Sequence, residues 1–233
     1  MAVSTPDRVL GMLEVADGVF EIRILFVHAH LVVVDDGVVL VDTGLPGRSA
    51  RIEQALGEAG KAIGDVRTIL LTHWHADHTG NAADLHRRSG ARIVAHAIDT
   101  GVITGTEPLP LNALQRLSAR LTGTPEPVSV DEALRQDGPF SVPGFTAIHT
   151  PGHTAGHVSF LLDRDGGVLF TGDAAAGGRR GVRRTPWVMT ADAEAARASL
   201  ARLAQARFDI AVFGHGRAAR GHAVDRFKEL AAA

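Results

Sequence analysis

Across residues 9–41 the apolar positions fall in short runs, VLGMLEV, VFEIRILF, HLVVV and VVLV, whose length and β-branched content predict strands. Asp35-Asp36-Gly37 separates the last two and supplies a tight turn, so the chain opens in an antiparallel arrangement. The period then changes. Residues 48–57 place apolar side chains at helical spacing and stop at glycine. They lead into the strand TILLT, a helix near 81–88 and the strand RIVAH. Residues 100–136 are proline-containing and of mixed polarity, an irregular excursion with one helix expected around 112–121. Strands return in FTAIHT, VSFLL and VLFTG, followed by a helix over 193–206, the strand DIAVFG and a last helix from Val224. Two strand-rich halves, each with helices able to cover an outer face, predict two packed sheets flanked by helices, an α/β architecture in one domain over residues 1–233.

Composition narrows the chemistry. With 45% hydrophobic residues the 233-residue chain can bury a substantial core. The formal charge is −2 and the basic residues are dispersed, which offers no footprint for a nucleic-acid backbone or an anionic membrane. A small-molecule substrate is the partner expected. Cysteine is absent, so thiolate ligands, cysteine nucleophiles and disulfides are excluded, and any metal must be held by nitrogen and oxygen. The first residues lack a basic stretch followed by an apolar core, and no apolar run is long enough for a bilayer span; a cytoplasmic location is expected.

TILLT runs straight into His73-Trp74-His75-Ala76-Asp77-His78, which puts four ligand-type side chains where a buried strand meets a loop. On extended backbone His73, His75 and Asp77 would share one side, and a turn after Asp77 would bring His78 round beside them. Three more ligand-type residues follow strands: His153 in TPGHTAGH, Asp173 in FTGD and His215 in FGHG. Glycine lies close to each, a residue that lets the main chain adopt the unusual conformations needed to present a side chain at a strand end. Burying so many polar groups together without a cation would be costly, so the ordered set points to a metal centre.

On these residues the chain resembles the metallo-β-lactamase-fold hydrolase superfamily, with HWHADH matching its HxHxDH motif. The resemblance implies a four-layer αββα sandwich. It implies one ion held by His73, His75 and His153, a second by Asp77, His78 and His215, and Asp173 bridging the pair. Asp42 in VLVDTG is implied to orient a ligating imidazole. Two divalent ions, zinc above all, suit the nitrogen and oxygen set, and iron or manganese would also tolerate it. The implied activity is hydrolysis by water ionised between two cations, with Asp77 as the catalytic carboxylate that orients the water and carries a proton to the leaving group.

The family spans thioesterases, lactonases, β-lactamases, phosphodiesterases and persulfide dioxygenases. The missing tyrosine weakens the quorum-signal lactonase assignment, and the missing cysteine excludes a cysteine-bearing β-lactamase. With no nucleic-acid-binding surface evident, a small ester, lactone or thioester is the expected substrate. The alternatives are a mononuclear iron persulfide dioxygenase using His73, His153 and Asp173, or hydrolysis of β-lactams or phosphodiesters. His28 and His30 face one way on an apolar strand, either toward the cleft or, as expected, in a packed or surface role. His96, His149 and His157 are read as structural, hydrogen-bonding neighbouring backbone or ligand groups. Core packing is expected for both Trp74 and Trp187, the alternative for Trp187 being an apolar wall of the pocket. Arg179, Arg180, Arg183 and Arg184 either attract an anionic substrate group or form a solvated loop.

Overall fold

The apolar runs named above fall on strands, the first of them, within its described residues, on two, in a computed structural model that describes residues 8–9, 12–110, 123–178 and 181–233. The first sheet contains β1 (Arg8–Val9), β2 (Met12–Ala16), β3 (Val19–Ile24), β4 (Val27–Val34), β5 (Gly37–Val41), β6 (Val66–Leu70), β7 (Arg92–His96) and β8 (Glu132–Leu134), in that spatial order. Pairing is antiparallel from β1 to β5 and parallel from β5 to β8. The second sheet contains β9 (Gly138–Pro139), β10 (Phe145–His149), β11 (Val158–Leu162) and β12 (Val168–Phe170). A separate hairpin, β13 (Ala176–Gly178) and β14 (Gly181–Arg183), precedes its last strands, β15 (Ile210–Val212) and β16 (Ala219–Arg220).

The helices are α1 (Ser49–Glu58), α2 (Ala76–Thr79), α3 (Ala82–Ser89), α4 (Ala97–Ile103), α5 (Ala193–Leu203) and α6 (Ala223–Ala232). Those expected near 48–57, 81–88, 193–206 and from Val224 are present within a few residues. The short α2 and α4 were not anticipated, and the helix expected around 112–121 lies outside the described residues.

Strand alternation builds the layers. In β5, Val38 and Leu40 face outward with Ile52 and Leu56 of α1 and Leu85 of α3, while Val39 and Val41 face the second sheet. In β12, Val168 and Phe170 face inward, and Leu169 packs outward with Leu200, Leu203 and Phe227 of α5 and α6. The result is helix, sheet, sheet, helix: the αββα sandwich. Each large apolar side chain so buried contributes roughly 1.5–3 kcal/mol. Helix α5 is started by Asp192, whose side chain accepts from the Glu194 and Ala195 N–H groups at 2.9 and 3.0 Å.

Two main-chain hydrogen bonds join the sheets at one edge. Val158 N donates to Thr72 O at 2.9 Å, and His28 N donates to Gly214 O at 2.8 Å. The loops leaving β6 and β15 and the loop entering β11 are thereby drawn together, which decides where the functional site sits. No helix among the described residues is long and apolar enough to cross a membrane.

Candidate metal centre

His73, His75, Asp77 and His78 occupy the turn that leaves β6. The reversal expected after Asp77 comes earlier: His75 is extended at φ −61° and ψ 147°, and α2 begins at Ala76. Asp77 therefore does not continue the extended row of His73 and His75. The helical turn carries it toward His215, whose Nε2 lies 3.2 Å from Asp77 Oδ2.

The seven donor groups converge. His73 Nε2 and His153 Nε2 stand 3.0 and 2.8 Å from His75 Nδ1. Asp173 lies between this trio and the others: Oδ2 is 3.3 Å from His153 Nε2 and 3.5 Å from His215 Nε2, and Oδ1 is 3.5 Å from His78 Nε2. The donor atoms of His73, His75 and His153, of His73, His78 and Asp173, and of Asp77, His78 and His215 each fall within 4.8 Å of one another. Two ligands about 2.1 Å from one tetrahedral ion stand about 3.4 Å apart, so these separations are of ligand type.

Electrostatics favour a cation. Burial, reinforced by the neighbouring imidazoles, holds His73 and His153 well below the usual histidine range. Burial likewise takes His75 down to about 4. All three imidazoles are therefore neutral, the form that ligates. Burial opposes charge on His78, but the carboxylates of Asp42, Asp173 and Asp77 overcome it and raise the group to about 10. Metal binding at that ring displaces the proton it would otherwise carry. Burial pushes Asp173 up, whereas Asp77, despite burial, is held low by His78 and His215. His78 Nε2 and Asp173 Oδ1 are buried without a hydrogen-bond partner. Two such orphaned atoms facing each other fit a site that holds a cation.

The outer ring nitrogens are tied. His78 Nδ1 donates to Asp42 Oδ2 at 2.8 Å and His215 Nδ1 donates to Phe26 O at 3.0 Å, which aims each Nε2 at the centre. Asp42 also accepts from Thr72 N and Thr72 Oγ1. It is a non-glycine residue at φ 60°, a strained conformation of the sort that gathers at functional sites.

Two supports complete the centre, and both agree with the sequence reading of His157 as structural and of glycine as the neighbour that presents His215. His157 accepts from Asp173 N through Nε2 at 2.9 Å, with its Nδ1 2.8 Å from Thr150 Oγ1, so it holds the main chain of the central carboxylate. At Gly214 a Cβ would stand 2.5 Å from both Asp173 Oδ1 and His78 Cε1, so only glycine leaves the centre open; the glycines flanking His215 were the available signal.

His28 and His30 point between the sheets and are buried, as is Glu21. His28 Nδ1 is 3.7 Å from Glu21 Oε2. Burial lowers His28 to about 4 and raises Glu21 to about 7, so at mildly acidic pH the two are neutral and form no ion pair. Glu21 binds its proton more tightly folded than unfolded. Its contribution is thus full below pH 4.5 and is lost as pH rises through about 7. Relative to Glu21→Gln, the wild type should lose about 3 kcal/mol between pH 4.5 and 8, read as the difference between their urea-unfolding free energies. Parallel pH profiles would contradict this.

His96 and His149 stack at 4.1 Å and 3°, and His149 Nε2 donates to Ala155 O. Trp74 is buried against His75, as expected. Trp187 departs from expectation: it is 81% exposed, because a 3-10 turn after Pro186 projects it outward. Arg183 donates to Gly177 O and Arg184 to Leu230 O. Arg179 and Arg180 lie outside the described residues.

An αββα sandwich with a histidine and aspartate cluster at the edge where its sheets meet defines a metal-dependent hydrolase. The chain belongs to the metallo-beta-lactamase superfamily, whose family model matches residues 22–215. The probable metallo-hydrolase YflN of Bacillus subtilis is 29% identical over 231 residues, covering 87% of this chain and 85% of that protein. The thioesterase pkgB of Emericella nidulans is 30% identical over 194 residues, covering 81% of this chain and 45% of that longer protein. The solved structure of BJP-1, a subclass B3 metallo-beta-lactamase of Bradyrhizobium japonicum, superposes with a TM-score of 0.69 at 24% identity, covering 88% of this chain and 78% of that one; the likeness is one of fold.

Proposed function

We propose that the protein is a dinuclear zinc hydrolase of small esters, lactones or thioesters. The observation that carries the reading is the Asp173 carboxylate, one oxygen facing His153 and His215 and the other facing His78. In this reading His73, His75 and His153 would hold one ion and Asp77, His78 and His215 the other, with Asp173 a ligand available to each. Nitrogen and oxygen donors without a thiolate suit zinc. When bound, two such ions would lower the pKa of water toward neutrality and polarise a carbonyl.

The residues of the chain supply the rest. Asp77 is held low enough to stay ionised at neutral pH, and its side chain is partly open to solvent. It orients the attacking water and takes up a proton for the leaving group. A cleft beside His153 and Asp173 is walled by Pro151, Ala174, Leu200 and Trp187, with Arg184 and Arg197 also in its lining. On the other side exposed Leu25 and Phe26 rise next to His215, with the Phe26 ring stacked over that imidazole at 6.1 Å. Apolar side chains on both flanks suit the acyl part of a small ester or thioester, and the thioesterase named among the relatives is consistent with that choice.

The test pairs metal analysis with a substrate panel of lactones, thioesters, β-lactams and phosphodiesters. Two zinc ions per chain and fastest turnover of a thioester, ester or lactone are expected. One iron per chain with oxygen-consuming turnover would replace the reading with a dioxygenase. Fastest turnover of a β-lactam or phosphodiester would replace the substrate class.

A further inference from the structure

The two loops that carry His73, His75 and His153 leave different sheets, yet their ring nitrogens meet within hydrogen-bond distance. Something must hold those loops in register. Asp99, in the first turn of α4, is 3% exposed and touches both. Its Oδ2 accepts from Trp74 N at 3.2 Å and from Thr154 Oγ1 at 2.9 Å, and its Oδ1 accepts from Gly156 N at 2.9 Å. Trp74 is the residue between His73 and His75, and Thr154 is the neighbour of His153.

We propose that Asp99 is a positioning residue for the His73, His75 and His153 triad, its one carboxylate pinning both ligand loops at the separation a shared ion requires. The inference rests on the metal-centre reading above.

Three observations carry it. The first is the partner set: all three donors belong to the two ligand loops, and all are uncharged. A carboxylate serving only to start α4 would bond the N–H groups of its own helix. The second is the closeness of the approach. A Cβ at residue 156 would lie 2.3 Å from Asp99 Oδ1, so glycine there lets the main chain close onto the carboxylate. The third is cost. Burial raises Asp99 to about 6 even though the hydrogen bonds oppose the rise, so the ionised group is expensive here. A cation held just beyond the two loops offsets that expense. In return the fixed negative charge favours the loaded state, as outer hydrogen-bonding partners of metal ligands commonly do. Trp74 adds a second tie, its ring set edge-on against His75 at 4.2 Å, so a shift of its main chain would move the imidazole.

The test is cobalt titration of the full chain after chelator stripping, with competition to obtain both dissociation constants and the visible absorption of each bound equivalent. Asp99→Asn keeps the shape but loses the charge and one acceptor. It should weaken one of the two equivalents by about 10–100-fold and alter its absorption band, leaving the other little changed. Thr154→Val removes a single donor and should show a smaller loss at the same equivalent, and Thr154→Ser should restore wild-type binding. The Thr154 pair decides the matter if Asp99→Asn does not fold. Wild-type affinities and spectra in Asp99→Asn and Thr154→Val, with only thermal stability lowered, would overturn the proposal. A wild-type protein that takes up no cobalt would overturn the metal-centre reading and this inference with it.

Discussion

Asp173→Ala should reduce turnover by on the order of a thousandfold or more, equivalent to about 4 kcal/mol of transition-state stabilisation. The same substitution should leave the metal-free protein as stable as before or more stable. Both effects have one origin. The Asp173 carboxylate approaches His153, His78 and His215, so its loss removes a donor from both halves of the centre. Yet one of its oxygens is buried without a partner, and burial pushes the group up, so the metal-free fold bears an uncompensated polar atom. The hydrogen bonds that its main chain makes with His157 and Thr185 do not involve the carboxylate and survive the change. Turnover, zinc content and urea unfolding under chelation read the three quantities separately. A variant that keeps two ions and turnover within tenfold of wild type would contradict the assignment of Asp173.

The largest loss of stability is expected from Asp42→Ala. Asp42 and His78 are both almost wholly buried and paired at 2.8 Å, and the carboxylate also accepts from the Thr72 N–H and hydroxyl. Removing it strands donors on Thr72 and His78 and takes away the largest of the carboxylate contributions that offset the burial of the charged His78 imidazole. Breaking a buried pair on one side costs about 3–5 kcal/mol. For a chain of this size the melting temperature should fall by on the order of 10 °C. Metal affinity should also fall, by about 10–100-fold, since His78 loses the partner that fixes its tautomer. Calorimetry of the metal-free variant isolates the first effect from the second. A destabilisation below about 1 kcal/mol would mean that the pair contributes no more than an exposed one.

The contrast between these residues explains what could be read from the chain alone. The ligand-type residues stand at strand ends beside glycines, so local sequence marks them, and their spacing matches a known motif. The strands were legible because short apolar, β-branched runs mark them, as in β5, whose Val38 and Leu40 then face outward and whose Val39 and Val41 face inward. Helix α2 was not legible. Four residues are too few to show a helical period, and their polar side chains are chosen for the site rather than for packing. Asp99 carried no local signal at all, since its partners lie 25, 55 and 57 residues away in the chain. The structural role of His157 was legible, but its particular partner, Asp173 N, was not, because that contact depends on β11 and the loop after β12 being neighbours. Trp187 is not in the core, the placement favoured for it: a 3-10 turn sets it at the rim of the cleft, where it serves as the apolar wall that was the alternative.

Anomalous diffraction at the zinc edge, from crystals grown with the metal in excess, addresses the whole account at once. It should show two peaks about 3.5–4 Å apart, one among His73, His75 and His153, the other among Asp77, His78 and His215, with Asp173 touching both. Absence of any peak between these side chains at saturating zinc would contradict it.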